Sequence, residues 1–294
     1  MNKCNMCPRM CNVNRLKLSG FCGQKNLKIS KVMLHKWEEP IISGCEEGRG
    51  SGAIFFSGCN LRCEYCQNYQ ISHLGQGEEV SVQTLATLFK QLEESGAYNI
   101  NLVTPTHFTD SIIEALKIYR PQIPIVWNTS GYETIENIEK LTGYIDVFLT
   151  DLKYATKECG QYSQASNYFE RASQAILKMR EIIPNDIVES GIMTKGLIIR
   201  HLVLPNNSND SIKVLEWINK ELGNETYLSI MSQYIPCFKA VNNPALNRPI
   251  KKIEYDRVVK KAISLNFKNV FIQEFSSADS SYIPDFNNRS GFDF

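Results

Sequence analysis

The chain has 294 residues, 43% of them hydrophobic and 21% charged, an ordinary globular composition that excludes a disordered or low-complexity protein. Lys and Arg total 32 against 31 Asp and Glu, a formal net charge of +1 that removes a broad electrostatic case for nucleic acid or an anionic membrane. No apolar run approaches the roughly 18 residues of a membrane span, and the start MNKCNMCPRMCN lacks the apolar centre of a secretory signal, so a cytoplasmic protein without nucleic-acid or membrane partners is expected.

Residues 1–35 show little helical periodicity and hold Cys4, Cys7, Cys11 and Cys22, while 36–51 reads as a strand remnant followed by a Gly-rich loop. Residues 1–51 are therefore expected to form a cysteine-rich extension and lead-in loop. The run GAIFFSG at 52–58, apolar and bounded by glycines, predicts a buried strand. Ser81 is placed to cap a helix in which Val82, Leu85, Leu88, Phe89 and Leu92 recur at helical spacing, and Gly96 is placed to end it. Further strands are expected at 99–103, 123–128, 144–153, 196–204, 227–231 and 269–275. Between them the spacing predicts a helix capped by Asp110, one over 132–142, one over 164–182 stopped by Pro184, one capped by Ser208 and one over 254–265. Nearly all-apolar strands alternating with helices describe an α/β fold whose parallel sheet is buried on both faces. Residues 52–275 have the length of one barrel or one large open sheet, and either places its ligand site at the carboxyl ends of the strands. The tail at 276–294 is polar with four aromatics and reads as a loose extension or a lid.

Cysteine is the unusual feature: eight of the ten fall in the first 66 residues. Clustered thiols in an intracellular chain are more often metal or redox ligands than disulfides. Cys59, Cys63 and Cys66, spaced C-x3-C-x2-C, sit on the loop leaving the strand at 52–58. Three thiolates so close can converge on one soft metal centre, and as only three of the usual four cluster ligands they leave one iron open. The competing reading is a structural zinc loop completed by His73. This motif resembles the signature of the radical S-adenosylmethionine (SAM) enzymes. The resemblance implies a [4Fe–4S] cluster on Cys59, Cys63 and Cys66 whose open iron chelates SAM. It also implies reductive cleavage of SAM to methionine and a 5′-deoxyadenosyl radical that abstracts hydrogen. Tyr65, before the third cysteine, matches the aromatic that packs near the adenine.

The whole chain is similar to the pyruvate formate-lyase-activating-enzyme-like proteins, in particular the X-type branch with an N-terminal cysteine head. That implies a partial or full (β/α) parallel barrel of the radical SAM type with an N-terminal cysteine-rich extension. The family's Gly-Gly-Glu motif is absent, and TPTH stands in its place, so contact with the SAM amino group falls to Thr104, Thr106 or backbone oxygens. His107 is read equally as a strand-end structural histidine and as a catalytic one. Asn128 and Ser130 in NTSG match the ribose-contact turn, and Asp151 and Lys153 match the DLK motif, with a structural ion pair as the alternative. In IIRHLVLP strand alternation turns only one of Arg200 and His201 into the site, and Arg200 is the choice because a guanidinium suits a carboxylate or a ribose edge. Gln233 and Tyr234 are weaker candidates. No catalytic side chain is assigned.

In the head, Cys4, Cys7, Cys11 and Cys22 are spaced C-x2-C-x3-C-x10-C, which suits a closed zinc site or a second iron–sulfur cluster, with Cys45 able to replace one of them. Cys159 and Cys237 are isolated thiols. Arg9, Arg15, Lys17, Lys25, Lys28, Lys31 and Lys36 make the first 36 residues basic, either a solvated face or a docking face for an acidic electron donor such as flavodoxin or ferredoxin. Three functions compete: activation of a glycyl-radical enzyme, radical chemistry on a peptide or small metabolite, and a non-catalytic iron–sulfur or zinc protein.

Overall fold

The computed structural model describes residues 3–45, 48–275 and Phe286. The strand β1 (Lys28–His35) leads into a single turn of helix, α1 (Pro40–Ser43), opened by a proline at a position where its missing N–H would have no helical partner. β2 (Ser51–Phe56), α2 (Tyr69–Ser72) and the two-residue β3 (Glu78–Glu79) come next. The regular part runs α3 (Val82–Glu94), β4 (Ile100–Val103), α4 (Thr109–Ile118), β5 (Ile125–Thr129), α5 (Ile135–Glu139), β6 (Val147–Asp151), α6 (Lys157–Gly160) and α7 (Tyr168–Ile182). It closes with β7 (Ile187–Glu189), β8 (Ile192–Leu202), α8 (Ser208–Leu222), β9 (Tyr227–Met231), α9 (Lys252–Ser264) and β10 (Val270–Ile272).

The strands form one sheet in the order β10-β9-β8-β6-β5-β4-β2-β1-β3, with β7 paired to β8 off this path. From β2 to β10 every neighbouring pair is parallel, and β1 adds antiparallel to the free edge of β2. Among the described residues the two ends of the sheet do not pair, so the expected (β/α) barrel is a partial one.

Alternation along each strand sorts the core into two layers. Ile54, Leu102, Trp127, Phe148 and Leu197 stand side by side in register and are fully buried beneath the helices, with Leu85, Phe89, Ile112, Ile176 and Leu215. On the concave face Val126, Val147, Leu149 and Ile198 close around Ile42 of α1. Residues 38–43 are thus a plug inside the curved sheet. Burying Ile42 there contributes about 2 kcal/mol.

Ser81 caps α3 as expected, its hydroxyl accepting from Thr84 N–H at 3.0 Å. Asp110 and Ser208 do not cap. Phe108 and Asn207 hold those cap positions, Asp110 pairs with Lys140, and Ser208 donates to Glu254 O at 3.3 Å. The helix expected over 132–142 is reduced to α5, capped by Thr134, and the strand expected at 269–275 to β10. β1 and β7 had no counterpart in the sequence reading. The reading of 276–294 falls outside the described residues except for Phe286, whose ring meets Phe55 edge-on at 5.6 Å. Among the described residues no helix is long and apolar enough to cross a membrane.

Candidate active site

Two residues beyond β2, Gly58 takes φ +82° and lies so close to the head that a Cβ would stand 2.5 Å from Cys22 O. The loop that follows carries Cys59, Cys63 and Cys66, all partly buried. Leu61 N–H donates to Cys59 Sγ at 3.4 Å, Cys63 Sγ meets Ser163 Oγ at 2.8 Å, and Cys66 Sγ meets Ser72 Oγ at 3.1 Å. Burial pushes the Cys59 thiol up to about 11 and the Cys66 thiol up to about 12. It raises Cys63 as well, against the opposing pull of the nearby Lys153 ammonium. Tyr65 is reached from Cys63 through Ser163 and Tyr154: Ser163 Oγ and the Tyr154 hydroxyl are 2.7 Å apart, and the Tyr154 and Tyr65 hydroxyls share a hydrogen bond. The Tyr65 ring also faces Tyr234 at 5.8 Å.

A second group lies on the concave face, where Asp151 on β6 is in register with Arg200 on β8. Arg200 spends its whole fork here: Nε donates to Asp151 Oδ1 at 3.0 Å, Nη1 to Glu38 Oε2 at 3.0 Å and Nη2 to Asn128 Oδ1 at 2.6 Å. Lys153 Nζ pairs with the other Asp151 oxygen. Burial alone would raise the Asp151 carboxyl, but Lys153 and Arg200 override it and hold it below the usual range. Glu38 Oε1 accepts from Asn101 and Asn128, each at 3.1 Å. Beside it Glu39 is buried, and that burial raises its carboxyl pKa. Ser130 Oγ is buried without a partner.

Arg200 therefore faces inward. His201 faces the helices, with Nδ1 bonded to Leu152 O at 2.7 Å. Asn128, Asp151, Lys153 and Arg200 form one network, with Lys153 extending its field to Cys63. Thr104 joins through its backbone, in a left-handed conformation (φ +60°), donating N–H to Asn128 O at 2.9 Å. Thr106 turns away to donate to Glu133 Oε1 at 2.6 Å. His107 is buried with Nε2 2.7 Å from Ser57 O, and burial lowers its pKa to about 3, so it ties two strand ends together as a neutral imidazole.

Two acids escaped the sequence reading. Glu38 was hidden in a segment read as a lead-in loop, although WEEP, the first acidic residues after a basic stretch, stands out beside a proline. Glu133 accepts from Thr106, Trp127, Thr129 and Asn137 and has no motif to mark it.

Among the described residues no three Cys, His, Asp or Glu side chains are already gathered round one point as metal ligands. The chemistry of the loop still suits an iron–sulfur cluster: three soft donors on eight residues, a backbone N–H aimed at one sulfur, and a cationic side chain close by. Metal ligation would displace the protons that burial favours on these thiols. His73, which a zinc site would recruit, instead packs against the Phe238 ring at 4.7 Å.

Residues 53–218 match the sequence profile of the radical SAM superfamily. The chain is 32% identical, over 279 residues, to an uncharacterized protein of Methanocaldococcus jannaschii, covering 91% of this chain and 76% of that protein. It is 24% identical over 230 residues to the pyruvate formate-lyase-activating enzyme of Clostridium pasteurianum, covering 74% of this chain and 90% of that protein. Among solved structures, native anSMEcpe with bound AdoMet superposes with a TM-score of 0.50 at 16% identity, covering 74% of this chain. This chain spans 61% of that structure, and the likeness shows the fold alone.

Proposed function

We propose that this chain, which belongs to the radical SAM superfamily, holds a [4Fe–4S] cluster on Cys59, Cys63 and Cys66 and uses it to cleave SAM. The observation that carries the reading is that one rim of strand ends bears both the three-thiol loop after β2 and the Asn128, Asp151, Lys153 and Arg200 network. The cluster, when bound, supplies the electron that splits SAM into methionine and a 5′-deoxyadenosyl radical. The residues of the chain do the positioning. Lys153, next to both Cys63 and Asp151, offsets negative charge at the thiolates. Asn128, Asp151 and Arg200 hold one another in a polar wall at the strand ends, and the unpartnered Ser130 Oγ beside them offers a free hydrogen bond to a ligand. Thr104 serves through its backbone, where the family's Gly-Gly-Glu would stand, and Tyr65 lines the cluster loop. The likeness to a pyruvate formate-lyase-activating enzyme over most of the chain, and to a putative glycyl-radical enzyme activating enzyme over 58% of it, supports a glycyl-radical enzyme as the substrate, and the basic first 36 residues suit an acidic electron donor such as a flavodoxin or ferredoxin.

The test is anaerobic reconstitution with iron and sulfide, followed by SAM and dithionite. Release of 5′-deoxyadenosine is expected, and the Cys63→Ala variant loses both iron at this loop and SAM cleavage, because the trio has no spare ligand. A fully loaded cluster that yields no 5′-deoxyadenosine marks an electron carrier instead. Transfer of deuterium into 5′-deoxyadenosine from a labelled glycyl-radical enzyme, and not from small metabolites, identifies the substrate class.

A further inference from the structure

We propose that Cys4, Cys7, Cys11 and Cys22 form a second, closed metal site of four thiolates that fastens the head onto the loop carrying Cys59, Cys63 and Cys66. The packing of the head calls for such a site. Between residues 3 and 26 the buried side chains are Cys7, Cys22 and Gln24, whereas Met10, Leu16 and Leu18 are 50%, 90% and 62% exposed. A segment that hides its sulfur and exposes its aliphatic groups is not held by hydrophobic burial, and a metal is the usual substitute in so short a span.

The backbone is already turned to present the thiols. Cys4 N–H donates to Val13 O and Asn12 N–H to Cys4 O, both at 2.9 Å, which closes a loop around Cys7 and Cys11. Met10 N–H returns to Cys7 O at 3.0 Å, with Met10 and Asn12 both left-handed. Gly23 N–H closes a second turn on Gly20 O, so that Cys22 lies inside it. Phe21 N–H donates to Cys11 Sγ at 3.2 Å, the kind of bond that supports a metal-bound thiolate. All four thiols are free. Metal binding would draw the four sulfurs of this knot of turns round one point, where they do not yet stand. Four soft donors leave no coordination position for substrate, which separates this site from the trio.

The knot is bolted to the other loop through its own spacer residues. Arg9, between Cys7 and Cys11, donates to Asn60 O at 2.7 Å, Gln164 O at 2.6 Å and Ser163 O at 3.3 Å, and its guanidinium stacks on Phe21 at 3.8 Å. Arg62, between Cys59 and Cys63, donates to Phe21 O from one nitrogen and to Cys59 O at 3.1 Å and Ser72 O at 3.1 Å from the other. A metal that orders Cys7, Cys11 and Cys22 therefore also orders Arg9 and Phe21, and through them both sides of the trio.

The site is tested in the full chain with Cys59, Cys63 and Cys66 all replaced by Ala, so that the outcome is independent of the proposed chemistry at the trio. Anaerobic titration with cobalt(II) is expected to give the thiolate charge-transfer and tetrahedral ligand-field bands of one bound ion, displaced by zinc and lost when Cys7→Ser and Cys22→Ser are added. Iron and sulfide given to the same protein decide between zinc and a cluster as the resident group, and either upholds a four-thiolate site. In the otherwise unaltered chain, Cys7→Ser with Cys22→Ser is expected to remove one site's worth of zinc or iron by metal analysis while the trio still loads. The proposal is overturned if neither protein takes up metal at the head, if the bands survive loss of Cys7 and Cys22, or if the four thiols prove to be paired as disulfides.

Discussion

Removing the Glu133 carboxylate tests whether the two loops at the ends of β4 and β5 share one anchor. Its Oε1 accepts from Thr106 Oγ1 at 2.6 Å, Thr129 Oγ1 at 2.7 Å and Trp127 Nε1 at 3.2 Å, and Oε2 accepts from Asn137 Nδ2 at 3.2 Å. In Glu133→Ala the two threonine hydroxyls, 3.4 Å apart, can turn to each other, and Asn137 keeps Thr109 Oγ1 at 2.9 Å. Trp127 Nε1 has no substitute and the indole is fully buried, so one orphaned donor and the net loss of two or three bonds bring the cost to about 4 kcal/mol. For a chain of this size that lowers Tm by about 10 °C. Glu133→Gln keeps an acceptor oxygen and costs about 1 kcal/mol. Because burial raises the Glu133 pKa, the stability belonging to its neutral form is complete below the ordinary carboxyl range and declines as pH rises through the raised folded value. Gln mimics the neutral acid without that decline, so the gap between wild type and Glu133→Gln should narrow as pH rises. Urea unfolding followed by tryptophan fluorescence across this range reads both effects. An Ala variant within about 0.5 kcal/mol of wild type, the range of an ordinary surface change, would refute the anchoring role.

Arg200→Lys keeps the charge but cannot reach Asp151, Glu38 and Asn128 together, so it should lower stability by about 2 kcal/mol in the same urea assay; an unchanged midpoint would show that the fork is not needed. Glu254 is gripped by Arg248 at 2.7 and 2.8 Å and accepts from the backbone N–H of Asn206 and Lys251, and the Arg248 hydrogen bonds are the main reason its pKa is lowered from 4.5 to about 2. A depressed carboxyl pKa gives stability that is present above the unfolded value and lost as pH falls through the folded one. Wild type should therefore lose about 2 kcal/mol between pH 4.5 and about 2 that Glu254→Gln, already less stable at pH 7, does not lose.

What could be read from the sequence was whatever is decided locally or by periodicity. β2, β4, β5 and β6 are buried on both faces, so their composition alone is decisive. The inward choice of Arg200 over His201 followed from alternation and needed only the neighbouring residues. β1 escaped because KISKVMLH, with two lysines in eight residues, looks like an exposed segment, as suits a strand whose outer side is covered by β3 only at Lys28 and Ile29. Pairing with β2, rather than any local preference, makes it a strand. Asp110 and Ser208 are capping residue types one or two positions inside helices that begin earlier, a shift that composition cannot resolve. Glu38 finds Arg200 only after the chain has run a further 162 residues, and the donors to Glu133 come from β5, α5 and the loop after β4. Thr106 read as a site residue because it sits at a strand end, and only the folded chain shows its hydroxyl already committed.

Charge balance explains why residues 38–43 enter the sheet rather than run outside it. Asp151 is shared by Arg200 and Lys153, so those three groups alone would bury a net positive charge on the concave face. The cost of desolvating an uncompensated guanidinium far exceeds what a turn of helix could contribute by packing. Glu38 supplies the missing negative charge at 3.0 Å from Arg200, while the raised pKa of Glu39 keeps a second carboxyl from overshooting neutrality. The segment before β2 is thus pinned from inside by an ion pair, and the segment before β1 is pinned from outside by Arg9 and Arg62. β1 is held between these two attachments. Shifting the cysteine head against the loop bearing Cys59, Cys63 and Cys66 therefore costs the Arg9 and Arg62 hydrogen bonds that join them, while the Glu38 ion pair anchors only the segment beyond β1.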